Sequence, residues 1–278
     1  MIEKKKDIFS RNILFHNEII SISKKCREEE IKLILLKGAA MVELFPEYSF
    51  RREMEDIDVL IEQKNYEKFR KLLYELGYKE VPFDPHAMYN EQKDIQIDIE
   101  TRVWYLSKKE NWFLIHNAKH LSDFGIETDC YVLSPQDMLN YTYIHSYIHH
   151  ARKENKWEED VKMIIEKFHL DPLCEQFFSG FNWIMESDIE YKGYILRFLF
   201  LSNIEKLVFL LETLFPSVEF MRVRYGIKKG RSILENIVIY IKLIWLYIFR
   251  IVKIKMKTII FLSSFLKTLF SRKFLRQN

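Results

Sequence analysis

Residues 55–61, Glu-Asp-Ile-Asp-Val-Leu-Ile, place two acids inside a run of β-branched and aliphatic residues. The alternation predicts a short strand over residues 57–61, and side chains two residues apart on a strand point to the same face. The carboxylates of Asp56 and Asp58 can therefore reach one site, where their mutual repulsion favours a divalent cation with oxygen ligands, such as Mg²⁺. An isolated pair of this kind is also typical of a solvated strand face.

Upstream of this strand lies a second candidate element of the same site. Residues 31–36 form an apolar, β-rich run, and a turn at Lys37-Gly38 leads from it into a helix over residues 39–45. Backbone N–H groups at such a helix N-terminus can bind phosphate, and Lys37 adds positive charge. A lone glycine at this place is better explained by the geometry of the turn alone.

Downstream, the alternating run Ile95 to Val103 predicts another strand and supplies further acids. Asp98 and Glu100 lie on one face of it, so either can join Asp56 and Asp58 at a common site. We take Asp98 as the third carboxylate and keep Glu100 as the second choice. A strand, turn and helix, then two acids on a strand, then a third acid on a strand is the order that a metal-assisted nucleotidyl transfer site requires.

The remaining periodicities predict an α+β protein with a small mixed sheet flanked by helices. Helices are expected over residues 8–30, 65–76, 135–151 and 157–168, and more strands over 78–81, 87–90 and near 131–133. The acidic sheet region comes first, then a helical domain, then a long basic, apolar helical tail. The corresponding domain boundaries are 1–133, 134–221 and 222–278.

These motifs together resemble the polymerase β nucleotidyltransferase superfamily, and within it a branch of uncharacterised bacterial nucleotidyltransferases. The resemblance covers most of residues 31 to 225. It is carried by the following segments: Leu36-Lys37-Gly38, Arg52 four residues before the first aspartate, DIDVLI at 56–61, Leu76-Gly77-Tyr78, IDIE at 97–100, the helix LSPQDMLNYTYIHSYIHH at 133–150, Asp160, and FPSVEFMRVRYG at 215–226. Two departures from the family pattern are Ala39 where the superfamily usually has Gly or Ser, and Glu100 where the branch often has His.

The resemblance implies an enzyme that uses Mg²⁺ or Mn²⁺ and an NTP, ATP included, as co-substrate. Asp56 and Asp58 would bind the metal, and Asp98 would bind metal and activate an acceptor hydroxyl that attacks the α-phosphate. Lys37, Gly38 and Arg52 would contact the nucleotide phosphates, although a plain surface role for Lys37 and Arg52 is about as well supported. The acceptor is a small molecule, a sugar or a protein. The alternative function is a catalytically silent nucleotide- or protein-binding module of the same fold.

Two histidines in the helical region invite a second metal hypothesis. His145 and His149 are four residues apart on one helix face, which is the spacing of many zinc ligands. The residues between them do not form an HExxH motif, so we favour a structural or pocket-lining role, with a histidine hydrogen-bonded to Asp160.

The charge of the chain is divided unevenly. Residues 222–278 contain 14 Lys and Arg against the single acid Glu235, a net charge of +13, whereas the rest carries −10. At helical spacing the polar residues of this tail form a narrow stripe beside a broad apolar face. Residues 233–276 therefore predict binding to an anionic membrane surface, with packing on protein as the equally weighted alternative. Nucleic acid is not expected as a partner, because no reader motif accompanies the charges.

Three widely spaced cysteines and an N-terminus without an uninterrupted apolar stretch indicate a cytoplasmic protein, peripheral at the inner face of the membrane if the tail binds lipid.

Overall fold

A computed structural model describes residues 2–82, 84–146, 155–170, 192–201 and 203–214, with positions 235, 237, 238, 241 and 242. Its helices and strands follow in chain order: α1 Ile2–Glu28, β1 Ile34–Leu35, α2 Lys37–Leu44, β2 Ile57–Leu60, α3 Tyr66–Glu75, β3 Lys79–Val81, β4 Asp84–Asn90, β5 Ile95–Glu100, α4 Lys108–Asn117, β6 Lys119–His120, β7 Tyr131–Val132, α5 Pro135–Ile144, α6 Asn155–Phe168, α7 Lys192–Phe200 and α8 Asn203–Leu214.

All seven strands named above form one mixed sheet, as expected for an α+β protein. Its order is β3-β4-β5-β2-β1-β7-β6. Strand β2 lies near the middle, parallel to β5 and antiparallel to β1, and β1 runs parallel to β7. Because β2 has a neighbour on each side, the acids that it carries are placed inside the sheet and away from its edges.

The predicted helices and strands have the right order, but several bounds were wrong. Strand β1 has two residues where six were expected, and β5 ends at Glu100 instead of Val103. Helix α4 was missed, although Ser107 and Glu110 form a capping box at its N-terminus. Two of its large apolar side chains, Trp112 and Phe113, are exposed, so its apolar residues do not follow one buried stripe. Periodicity alone could therefore not reveal it.

Helix α1 covers the sheet with the face that the sequence predicted. Phe15, Ile19, Ile22 and Cys26 are buried at i, i+4, i+7 and i+11, the stripe of an amphipathic helix. Gly77 has a left-handed backbone (φ 88°) directly after the C-cap of α3, as expected for a glycine that ends a helix. The core beneath these helices is built from the inward-facing residues of β1, β2 and β5.

The chain divides into two compact units, Met1–Ser187 and Asp188–Asn278. The first contains the whole sheet with α1 to α6, and the second contains α7 and α8, where Leu196, Leu199 and Leu201 are buried. The domain boundaries at 133 and 221 remain predictions. The segment at 215–226 that resembled the family's closing segment lies outside the described residues, as does most of the basic tail.

Candidate active site

The first aspartate of the DxD motif, Asp56, directly precedes strand β2, and the second, Asp58, lies within the strand. Asp58 is only 3% exposed, and its backbone carbonyl accepts a hydrogen bond of 3.0 Å from the N–H of Leu36 on the β1 side. On the other side, Asp58 is the direct register partner of Asp98 in β5. A solvated strand face therefore does not explain these acids, since the motif lies on a central strand and Asp58 is buried.

Three carboxylates converge at this place. One oxygen from each of Asp56, Asp58 and Asp98 lies within 4.8 Å of the others. The residues that alternate with them, Ile57 and Ile97, are buried on the opposite face of the sheet, which explains why all three acids share one face. A compact set of carboxylate oxygens is the donor set that Mg²⁺ and Mn²⁺ prefer, so the residues present fit such an ion.

The convergence changes the acidity of the group. Burial, reinforced by the charges of Asp58 and Asp98, raises the pKa of Asp56 to about 7. Burial and the charge of Asp58 likewise raise the pKa of Asp98 to about 6, against the hydrogen bond that Gln96 donates to its Oδ1 at 2.8 Å. Without a cation, Asp56 and Asp98 therefore keep their protons to higher pH than ordinary aspartates do. A positive charge beside them would stabilise their ionised forms.

Lys37 supplies part of that charge. Its Nζ lies 2.5 Å from Oδ1 of Asp58 and 3.8 Å from Oε1 of Glu100. Burial lowers the pKa of this ammonium, but the charges of Asp58 and Glu100 outweigh burial and raise the pKa above its ordinary value. The backbone of Lys37 is left-handed (φ 45°), an uncommon conformation for a residue with a side chain, and it occurs where this side chain meets the carboxylates.

Glu100 lies two register pairs beyond Asp98 and is not part of the three-carboxylate group among the described residues. Its Oε1 accepts a hydrogen bond of 2.7 Å from the hydroxyl of Tyr141 in α5. Burial raises the pKa of Glu100, while Lys37 and Tyr141 oppose the shift. Sequence reasoning missed Tyr141, although it lies four residues before His145 and so on the same face of the helix.

Gly38 is buried in the first turn of α2, beside the chain that leads to β2. A Cβ built on it would lie 3.4 Å from Cγ of Met54 and 3.5 Å from Nη2 of Arg52. The glycine therefore packs against the segment between α2 and β2 at ordinary van der Waals distance. Its contact with a phosphate remains a prediction.

Arg52 is engaged away from the carboxylates. Its Nε donates to both carboxylate oxygens of Asp160 in α6, at 3.0 and 3.1 Å, and its Nη1 donates to the carbonyl of Glu53 at 2.8 Å. Burial raises the pKa of Asp160, and the guanidinium of Arg52 opposes that shift. The phosphate contact of Arg52 remains a prediction, and the structure adds a buried ion pair that the sequence did not indicate.

His145 is buried between two aromatic side chains. Its ring stacks on Tyr141 at a centroid distance of 5.9 Å and meets Trp157 edge-on at 5.7 Å. The hydrogen bonds of Asp160 include those with Arg52 and Tyr48, and the cation-binding group among the described residues contains no histidine. His149 lies outside the described residues. These contacts agree with a packing role for His145.

Comparison with known proteins supports the resemblance seen in the sequence. The model of a family described as "uncharacterised nucleotidyltransferase" matches residues 2–182, well over half of the chain. No curated protein matches this chain. Among solved structures, the solution structure of the antibiotic-resistance factor ANT(2'')-Ia is similar with a TM-score of 0.43 and 14% sequence identity, covering 73% of this chain and 97% of that chain.

Proposed function

Because this chain belongs to the family of uncharacterised nucleotidyltransferases, we propose that it transfers a nucleoside monophosphate from an NTP to a hydroxyl group of an acceptor, with the help of a divalent metal. The observation that carries the proposal is the convergence of Asp56, Asp58 and Asp98 within 4.8 Å on neighbouring strands. A family member that had lost turnover would have no need to retain three mutually repelling acids, since each is costly to bury without a cation.

In this proposal Asp56, Asp58 and Asp98 hold Mg²⁺ or Mn²⁺. A bound divalent ion neutralises the negative charge of the nucleotide phosphates and favours attack at the α-phosphorus. Asp98 accepts the proton of the acceptor hydroxyl, and Gln96 orients its carboxylate through the 2.8 Å hydrogen bond to Oδ1. The acceptor oxygen forms its bond to the α-phosphorus as the bond to pyrophosphate breaks, and pyrophosphate leaves with the electron pair.

Lys37 and the first turn of α2 are proposed to serve the phosphate side of the site. Lys37 already lies against Asp58, so an ammonium charge is in place beside the carboxylates that would hold the metal and, through it, the phosphates. The N–H groups of the first helical turn lack partners within the helix, as at the start of any α-helix, and Gly38 is proposed to let a phosphate approach them. We keep Glu100 as an alternative metal ligand, although its contacts with Tyr141 and Lys37 favour a supporting role.

The direct test is an acceptor screen with each of the four NTPs labelled at the α-phosphate. The purified full-length chain is incubated with Mg²⁺, the NTP and pools of small hydroxyl compounds, sugars or proteins, and label transfer is measured together with pyrophosphate release. We expect transfer to at least one pool and none with EDTA. A chain that binds NTP but releases no pyrophosphate with any pool would instead be the catalytically silent binding module.

Metal affinity is expected to rise with pH between about 5 and 8, because the ion competes with protons for Asp98 and Asp56, whose pKa values are raised to about 6 and about 7. Each bound proton that must leave gives up to about a tenfold gain in affinity per pH unit below its pKa. Calorimetric titration with Mg²⁺ in buffers of different ionisation enthalpy measures both affinity and proton release. A constant affinity across this range would contradict metal binding by these two acids.

The basic tail carries a second proposal, binding of residues 233–276 to anionic lipid at the cytoplasmic face of a membrane. Among its described positions, Ile237, Val238 and Ile241 are 47–50% exposed, so apolar side chains are presented next to a strongly basic sequence. No helix of the described residues has both the length and the apolar character to cross a membrane.

Flotation with vesicles tests the tail. The full-length chain is expected to float with vesicles that contain phosphatidylserine, to float much less with pure phosphatidylcholine, and to lose flotation in high salt. A variant that ends at residue 226 should stay at the bottom of the gradient. Equal flotation of the full-length and shortened chains would show that the tail is not the lipid-binding segment.

A further inference from the structure

A buried ion pair connects helix α6 to the segment that precedes strand β2. Arg52 is 5% exposed and Asp160 is 1% exposed, and the two residues are 108 positions apart in sequence. Both oxygens of Asp160 accept from Nε of Arg52, at 3.0 and 3.1 Å. The single Nε–H is shared between the two oxygens, a bifurcated, charge-assisted contact that holds the guanidinium next to Asp160.

The same guanidinium bonds to a second piece of the chain and faces a third. Nη1 donates to the carbonyl of Glu53 at 2.8 Å, three residues before Asp56. Nη2 lies 3.5 Å from the position that a Cβ on Gly38 would occupy. One side chain thus joins helix α6 to the backbone that leads to Asp56, beside the turn that opens α2.

Neighbouring contacts hold the same segment from both ends. Asn12 of α1 donates to the carbonyls of Ser49 and Arg52, each at 2.7 Å, and the hydroxyl of Tyr48 donates to Glu159 of α6 at 3.0 Å. Lys167, further along α6, donates to the carbonyl of Leu44 at 2.6 Å, at the end of α2. Helix α6 therefore contacts the connection between α2 and β2 at several points, with the Arg52–Asp160 pair at its buried centre.

We propose that Arg52 and Asp160 are positioning residues that set the place of Asp56 and Asp58 relative to the turn at Gly38. The role rests on the proposed function, because it concerns the metal-binding geometry of that site. Replacing a buried ion pair by apolar residues is often neutral for stability, so holding the fold together does not by itself require these charges. What the pair adds is a set of directional bonds that join α6 to the backbone leading to Asp56, beside the turn at Gly38.

Two roles for Arg52 make different predictions for metal binding in the absence of nucleotide. If Arg52 contacts phosphate, Arg52→Met leaves the affinity for Mn²⁺ unchanged, and Asp160→Leu has no reason to change it. If the pair positions Asp56 and Asp58, each substitution weakens Mn²⁺ binding, and the double variant is no weaker than the worse single variant, because each substitution removes the same contact.

The experiment is a double-mutant cycle read by the electron paramagnetic resonance signal of free Mn²⁺, with circular dichroism as the check of folding. We expect each single variant to bind Mn²⁺ about tenfold or more weakly, and the double variant to agree with them within about threefold. Arg70→Met is the control, because Arg70 of α3 pairs with Glu80 of β3 at 2.6 Å, and β4 and β5 lie between β3 and β2 in the sheet. It should keep wild-type affinity.

The double variant keeps the test decisive if a single variant fails to fold, since it leaves no buried charge without a partner. A folded double variant with wild-type Mn²⁺ affinity overturns the positioning role and leaves the proposed function intact. A double variant whose loss of Mn²⁺ affinity equals the sum of the losses in the two single variants overturns it as well. A wild-type protein that binds no Mn²⁺ overturns the metal site and, with it, this role.

Discussion

Asp58→Asn is expected to lower the rate of Mg²⁺-dependent nucleotidyl transfer by about a thousandfold or more. Asp58 is the most buried acid of the three-carboxylate group and lies between Lys37 and Asp98. An amide has nearly the same shape but no charge, so it binds a divalent cation poorly and leaves the ammonium of Lys37 without its closest partner. Loss of several kcal/mol of charge stabilisation by a metal corresponds to a factor of this size.

Steady-state release of pyrophosphate by wild-type and variant proteins measures the effect, with the acceptor found in the screen. Glu91→Gln is the control, because this acid is exposed, pairs with the exposed Lys79 and lies in the turn that directly follows β4. It should retain the wild-type rate. An Asp58→Asn protein that is folded and as active as wild type would refute the assignment of this residue to the metal.

Asp56→Asn is expected to abolish activity and at the same time to stabilise the metal-free protein. The pKa of Asp56 is raised from its ordinary value of 3.8 to about 7, first by burial and then by Asp58 and Asp98. Between these two values the folded chain holds a proton that the unfolded chain has lost, so the free energy of unfolding of the wild type falls as pH rises. An asparagine at this position removes the repelling charge, and the gain above pH 7 is on the order of a few kcal/mol.

Thermal unfolding in EDTA at pH 4 and pH 7.5 separates this effect from a general change in packing. The melting temperature of Asp56→Asn should exceed that of wild type at pH 7.5 and approach it at pH 4, which is close to the ordinary pKa of 3.8, so that little of the difference in proton binding between the folded and unfolded wild type has developed. Saturating Mg²⁺ should raise the melting temperature of wild type far more than that of the variant. A variant that melts below wild type at pH 7.5 in EDTA would contradict the repulsion.

The features that could be predicted from sequence are those that depend on local periodicity. The alternation in residues 56–61 and 95–100 predicts strands whose acids share a face, and the apolar stripe from Phe15 to Cys26 predicts the buried face of α1. Gly77 predicts the end of α3. In each case the pattern that determines the structure lies within about ten residues, so the sequence alone indicates it.

The features that local sequence could not determine depend on register and on long-range contacts. Asp98 was our first choice for the third carboxylate, but Glu100 stayed open because the choice depends on the pairing of β2 with β5, which places Asp98 beside Asp58, while Glu100 bonds to Tyr141. A shift of one register position would have changed the face of every acid. The pair of Arg52 with Asp160 spans 108 residues, and nothing in the local sequence of either residue indicates its partner.

The central claim is that Asp56, Asp58 and Asp98 hold a divalent cation, and anomalous X-ray scattering from crystals of the protein with Mn²⁺ and a non-hydrolysable NTP tests it most directly. The account predicts an anomalous peak between the three carboxylates, with metal–oxygen distances of about 2.1 Å. An Mn²⁺ peak elsewhere in the molecule, or none in crystals where the nucleotide is bound, would contradict it.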